Sequence, residues 1–198
     1  LVGAGLGGGF ENTQELKVLN YKQAMASPDR ERWIEEIKKE YDRFERFGVL
    51  TPIKRSDIPK GAKVLSTTWA FKKKASGALR GRLNARGFEQ VENVHYNPST
   101  ISSPVSNAMT IRFGLSLVAM HPRWVAIIVD VEGAFLQGRF RFGEVIIIEV
   151  PDGMEEHYGA RAGTVLRCNV PLYGTKQAAE CFYAELKKRL AGIKERRY

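Results

Sequence analysis

Leu65-Ser66-Thr67-Thr68-Trp69-Ala70-Phe71-Lys72 and, across Ala75-Ser76-Gly77, Leu79-Arg80-Gly81-Arg82-Leu83-Asn84-Ala85-Arg86 repeat with a period of two. Leu65, Thr67, Trp69 and Phe71 alternate with Ser66, Thr68, Ala70 and Lys72, the pattern of a half-buried strand. The small residues between the runs make the pair a β-hairpin. On the return strand Leu79, Gly81, Leu83 and Ala85 share one face, and Arg80, Arg82, Asn84 and Arg86 share the other. Strand rise sets those guanidinium groups about 7 Å apart. From Lys72 to Arg86 the chain also carries Lys73 and Lys74, and no acid. Two readings fit. The row can grip phosphate oxygens through paired hydrogen bonds, or it can be an edge strand kept soluble by its charges. With no counter-ion nearby in sequence, phosphate contact is the stronger reading. It implies weak nucleic-acid binding without sequence preference.

On the N-terminal side, Ser27-Pro28 reads as a helix start, with serine as N-cap and proline at the first position. Trp33, Ile34, Ile37, Tyr41, Phe44 and Phe47 recur at helical spacing, and Gly48 supplies the stop. Glu35 and Lys39 stand four apart on its outer face. Further back, Gly3, Gly5 and Gly8 satisfy G-x-G-x-x-G without the preceding strand that gives this pattern meaning, so Leu1 to Gly9 is expected to be a flexible lead-in.

On the C-terminal side, Asn107 to Met120 is apolar nearly all round, and a buried helix is expected, capped by Ser106 or Asn107 and closed by His121-Pro122. Trp124 to Val129 is a continuous apolar run ending at Asp130, as in a strand covered on both faces. Glu144 to Val150 and Thr164 to Asn169 read as further strands. From Lys176, the positions Ala179, Phe182, Tyr183, Leu186 and Leu190 mark a last helix. Helices and strands mix without regular alternation, so the expected class is α+β, with a mixed or antiparallel sheet and packed helices.

Composition narrows the partners. The 198 residues hold 31 Lys+Arg against 22 Asp+Glu, a formal charge of +9 that suits a polyanion. No apolar run is long enough to span a bilayer. Cys168 and Cys181 are too few for a disulfide framework, which favours a reducing, intracellular compartment. The chain opens on Leu1 and stops at Glu195-Arg196-Arg197-Tyr198 without a capping signal, as a piece of something longer would.

Two further places could carry chemistry. A carboxylate at the end of a buried strand must pair, neutralise or bind a metal. Asp130 beside a basic hairpin therefore suits Mg²⁺ held against phosphates, while a capping or turn-forming aspartate is the commoner case. Leu172-Tyr173-Gly174-Thr175-Lys176-Gln177 joins a strand to a helix, where glycine permits close approach and a helix start favours an anion. An ordinary strand-to-helix turn explains it equally.

Taken together, Trp69-Ala70-Phe71-Lys72, Arg82-Leu83-Asn84-Ala85-Arg86-Gly87-Phe88, Ser103-Pro104-Val105, Asp130-Val131-Glu132-Gly133-Ala134-Phe135-Leu136 and Leu172-Tyr173-Gly174-Thr175-Lys176-Gln177-Ala178 follow the order and spacing of one family. The chain resembles the reverse transcriptase domain of copia-type (Ty1/copia) LTR retrotransposons, from about Asn20 to about Ile193. The resemblance implies a lead-in over 1–19, fingers plus the first part of the palm of a right-hand polymerase over 20–193, and a cut end over 194–198. It implies that Arg80 and Arg82 grip the incoming triphosphate, with Arg86, Lys176, Tyr173 and Gly174 beside nucleotide and template. It places Phe135 beneath the sugar, excluding a ribose 2′-hydroxyl, and makes Asp130 the first magnesium ligand of two-metal nucleotidyl transfer.

Departures from the family pattern matter here. The family draws its other carboxylates from a Tyr-x-Asp-Asp hairpin beyond the last helix, and this sequence has no Asp-Asp pair. Its adjacent acids are Glu35-Glu36 and Glu155-Glu156. Ala179 stands where proline is usual, and Arg80 where lysine is usual. Polymerisation by these residues alone is not expected. The alternative to an enzyme fragment is a domesticated, catalytically dead module, serving as a structural subunit whose exposed palm surface other proteins cover.

Overall fold

The computed structural model describes residues 17–105, 107–141 and 143–195. Residues 1–16 of the expected lead-in, Ser106, Phe142 and the last three residues lie outside the described residues, while Val18–Leu19, also assigned to the lead-in, forms a short strand. The class is α+β, as the sequence indicates.

The hairpin forms as read. Strand β1 (Val18–Leu19), β4 (Thr67–Lys73) and β5 (Leu79–Ala85) make one antiparallel sheet in the order β1-β4-β5, with Trp69 opposite Leu83 and Phe71 opposite Gly81. A second sheet runs β2 (Leu50–Lys54), β7 (Thr164–Cys168), β6 (Ile146–Glu149), β3 (Val64–Leu65). The first hairpin strand is broken, however. Leu65 belongs to the second sheet, parallel to Ile148, and Thr67 begins the first. Ser66 is the pivot: its N–H and hydroxyl donate to the Glu89 carboxylate at 2.8 and 2.5 Å, and its carbonyl accepts from Arg86 N–H. A period of two continues through such a pivot, so the sequence does not reveal it. Strand β2, which contains Pro52, is not among the strands expected from the sequence. Here β2 is an edge, where proline is tolerated.

The short helix α1 (Tyr21–Met25) leads into α2 (Arg30–Phe47), which starts later than Ser27-Pro28 suggests. The Ser27 hydroxyl caps nothing. It donates to Ala24 O and accepts the indole N–H of buried Trp33 at 3.0 Å, since a buried donor needs an acceptor more than an exposed helix end does. Gly48 ends α2 in the left-handed region at φ 58°, as expected. Lys39 pairs with Glu36 at 2.7 Å, not with Glu35.

One core joins these parts: Trp33, Ile37 and Phe44 of α2, Trp69, Phe71 and Leu83 of the hairpin, and Ile146, Ile148 and Leu166 of the second sheet. Trp69 stacks on Phe71 at 5.0 Å between ring centroids, and Trp33 leans on the same ring at 5.2 Å.

Two expectations fail together. Helix α3 (Ala108–Met120) forms where expected, capped by the Asn107 side chain on Thr110 N–H, but none of its residues is buried. Residues 124–130 form no strand, and Ile128 is 99% exposed. Apolar character predicts burial only if another surface is present to receive it. Among the described residues the core is filled by other side chains, and no strand pairs with 124–129. The last helix, α4 (Ala178–Glu195), begins two residues after Lys176. No helix among the described residues is long and apolar enough to cross a membrane.

Candidate functional site

A cleft of about 270 Å³ is lined by Arg80, Arg82, Asp130, Glu132, Phe135 and Tyr173. The three regions singled out in the sequence therefore meet at one place. The hairpin supplies two guanidinium groups. The turn after Asp130 supplies the carboxylate and Phe135, and the segment before α4 supplies Tyr173. The Phe135 and Tyr173 rings lie 6.1 Å apart. The Arg82 guanidinium stands over the Tyr173 ring at 5.7 Å, a cation–π arrangement.

The charges in the cleft differ in their freedom. Arg82 is half-buried and donates from Nη1 to Glu40 Oε2 and to Gly81 O, both at 3.1 Å. Lys73 reaches Asp29 at 3.3 Å. Counter-ions absent from the hairpin's own sequence thus arrive from α2 and its N-cap. Glu40 has no side-chain exposure and also holds Arg43. Burial pushes its carboxyl above the usual range, while Arg82 and Arg43 pull the other way. Burial likewise raises the Tyr173 phenol, with Glu40 adding to the effect. Arg80 and Asp130 are exposed and make no ion pair among the described residues. The burial argument first made for Asp130 does not apply, because it ends no strand.

The Asp130 turn is fixed from α2. Glu132 pairs with Arg46 at 2.5 Å and approaches Arg43 Nε at 3.7 Å. The Arg46 guanidinium, with Arg43 beside it, holds the Glu132 carboxyl below its usual range. Gly133 turns at φ 59°, where a Cβ would meet the Phe47 ring at 3.1 Å.

Arg86, Lys176 and Gly174 do not line this cleft. Arg86 faces a separate hollow with Thr68, Trp69 and Asp152. Lys176 donates to the Tyr96 hydroxyl at 3.1 Å. Gly174 is packed backbone to backbone: a Cβ there would lie 2.2 Å from Ala85 O, and one on Gly87 2.0 Å from Gly174 O. Ala85 N–H donates to Tyr173 O at 2.8 Å, so this segment closes the free edge of β5. Buried Gln90 and Gln177, joined at 2.9 Å, lock the same junction, with Gln177 also donating to His95 O. Sequence reading missed Glu40 and Gln90. A glutamate within an apolar helical stripe, one turn from Phe44, was the available sign for the first.

A profile for the family "Reverse transcriptase (RNA-dependent DNA polymerase)" matches residues 53–197, which include all three regions of the cleft. The chain belongs to this family. It is 31% identical over 167 residues to the retrovirus-related Pol polyprotein from transposon TNT 1-94 of Nicotiana tabacum, covering 82% of this chain and 12% of that protein. The corresponding polyproteins from transposons RE2 and RE1 of Arabidopsis thaliana are 32% and 31% identical over 140 residues, 68% of this chain and 9% of each relative. The copia-type assignment made from the motifs holds. The chain spans about a tenth of the length of these relatives. No solved structure matches it significantly.

A two-metal reverse transcriptase centre needs several carboxylates. Among the described residues no group of three or more His, Cys, Asp or Glu side chains could hold a metal ion, and Glu132 is engaged by Arg46 and Arg43. Asp130 offers one carboxylate. The donor set present does not fit a paired magnesium centre.

Proposed function

We propose that this chain is the fingers and first part of the palm of a copia-type reverse transcriptase, and that the cleft receives a nucleoside triphosphate. The observation that carries this reading is the convergence of Arg80, Arg82, Phe135, Tyr173 and Asp130 on one cavity. Arg80, exposed and without an ion-pair partner among the described residues, is the first phosphate contact, and Arg82 the second. Phe135 lies beneath the sugar and selects against a 2′-hydroxyl. Asp130 is one ligand of a magnesium ion whose other protein ligands come from outside these residues. Tyr173 packs against the base or sugar, while Gly174 shapes the segment that carries it. Lys176 and Arg86, outside the cleft, contact template or primer phosphates.

These residues alone are then not expected to polymerise. Primer extension separates the possibilities, using the 198-residue chain and a version continued through a Tyr-x-Asp-Asp hairpin. Activity confined to the longer protein supports the reading, and activity of the shorter one overturns it. Nucleic-acid binding should be weak, independent of sequence and steeply reduced by salt. Charge reversal at Arg80 and Arg86 should abolish it.

A second reading, a domesticated module without catalysis, draws on the apolar surface of α3 and residues 124–129, which a protein partner would cover. In that case the lengthened protein stays inactive and the chain co-purifies in a defined stoichiometric assembly.

A further inference from the structure

We infer that Glu40 is a positioning residue for the Arg82 contact to the nucleotide phosphates. Glu40 lies on α2, outside the 53–197 stretch matched by the reverse transcriptase family. The inference rests on the cleft being the triphosphate site.

Three observations carry it. The Glu40 side chain is entirely buried and receives Arg82 Nη1 at 3.1 Å, so one end of the guanidinium is held inside the protein. The same nitrogen also reaches Gly81 O, and the guanidinium lies over Tyr173. With Nη1 committed, Nε and Nη2 remain for an anion in the cleft, where a planar fork binds phosphate through parallel hydrogen bonds. An arginine free to rotate would lose side-chain entropy on binding; one already fixed loses less.

The contact also continues across the site. Glu40 holds Arg43, Arg43 approaches Glu132, and Glu132 pairs with Arg46. Glu132 is two residues from Asp130. Glu40, Arg43 and Arg46 of α2, with Glu132 of the turn set between the two arginines, therefore tie the phosphate-gripping strand to the turn bearing the carboxylate. Glu36, one turn earlier, accepts from Gly81 N–H at 3.4 Å and steadies the same strand edge. Helix α2 acts as a strut that sets the separation of the two sides of the cleft.

The test uses the full chain and a fluorescent deoxynucleoside triphosphate, with affinity read by anisotropy well below each variant's thermal midpoint. Glu40→Gln keeps the shape and removes the charge, and should weaken binding about fivefold. Arg82→Gln should weaken it at least as much, and the double variant no further than Arg82→Gln alone. That non-additivity separates action through Arg82 from general loosening of the fold. Glu40→Asp keeps the charge but withdraws the carboxylate by one methylene, and should still lose about threefold. If Glu40→Gln does not fold, this variant decides the matter. Wild-type affinity in Glu40→Asp, or additive effects in the cycle, overturns the inference. Unchanged affinity in both Arg80→Gln and Arg82→Gln would instead overturn the reading of the cleft itself.

Discussion

Arg82 Nη1 lies 3.1 Å from Glu40 Oε2, a contact between residues 42 apart in the chain. It divides the basic hairpin into unequal parts. Arg82 is an internal charge with a buried partner, whereas Arg80, on the same face, is exposed and has no such partner among the described residues. Their substitution should have different consequences.

Arg80→Gln should leave the urea midpoint unchanged and reduce the salt dependence of nucleic-acid binding. Arg82→Gln should cost about 2 kcal/mol of stability in the same titration, because it leaves Glu40 buried with Arg43 alone. Equal midpoints for the two variants would show that the Arg82 pair adds nothing to stability.

Gly87 and Gly174 should be among the least replaceable glycines. A Cβ at either would meet backbone oxygen at 2.0 or 2.2 Å, and Gly174 also sits at φ 87°. Alanine at each should destabilise the fold by more than about 2 kcal/mol. Gly77→Ala, strained at φ 76° but facing open space, should cost about 1 kcal/mol. Gly114→Ala, in open space on α3, should be neutral or slightly stabilising. Denaturant titration of the four variants gives the ranking.

The Ser66 hydroxyl and N–H hold the Glu89 carboxyl below its usual range. A depressed carboxylate contributes stability above its unfolded-state value and loses it as pH falls through the folded-state value. Glu89→Gln should therefore have a lower thermal midpoint than wild type at pH 7. The two should converge as the buffer is taken below the carboxylate range. A gap that persists in acid would assign the effect to packing rather than charge.

Burial pushes both the Cys168 and Cys181 thiols up to about 12. At pH 8 both stay protonated, and a thiol-specific reagent should modify the native chain far more slowly than the urea-unfolded chain. Rapid native labelling of both cysteines would show that the second sheet and the start of α4 open readily.

Polar substitution on α3 and the segment after it should behave as surface change. Ile128→Lys and Phe113→Ser remove side chains that are 99% and 66% exposed. Light scattering should show less self-association, with an unchanged denaturation midpoint. A loss of about 2 kcal/mol or more would mean that these side chains are buried in solution.

The hairpin, the places of α2 and α4, the α+β class and the family are all legible in the order of the amino acids. Each rests on local signals: a period of two at Trp69 and Phe71, a period of 3.6 through Trp33 and Phe44, and motif order from Trp69 to Ala178. Of the site residues named from the hairpin's charges and from the family resemblance, Arg80, Arg82, Asp130, Phe135 and Tyr173 meet in the cleft, and Arg86, Gly174 and Lys176 do not line it. How those residues are held emerges only once the chain is folded. The Glu40–Arg82 pair and the Gly87–Gly174 approach join distant parts of the chain, and neither leaves a periodic trace. The pivot at Ser66, where one apparent strand serves two sheets, likewise depends on the distant Glu89 carboxylate. Burial of α3 was misread for the same reason. Apolar side chains record a tendency to leave water, but whether a surface is there to receive them is a property of the assembled fold.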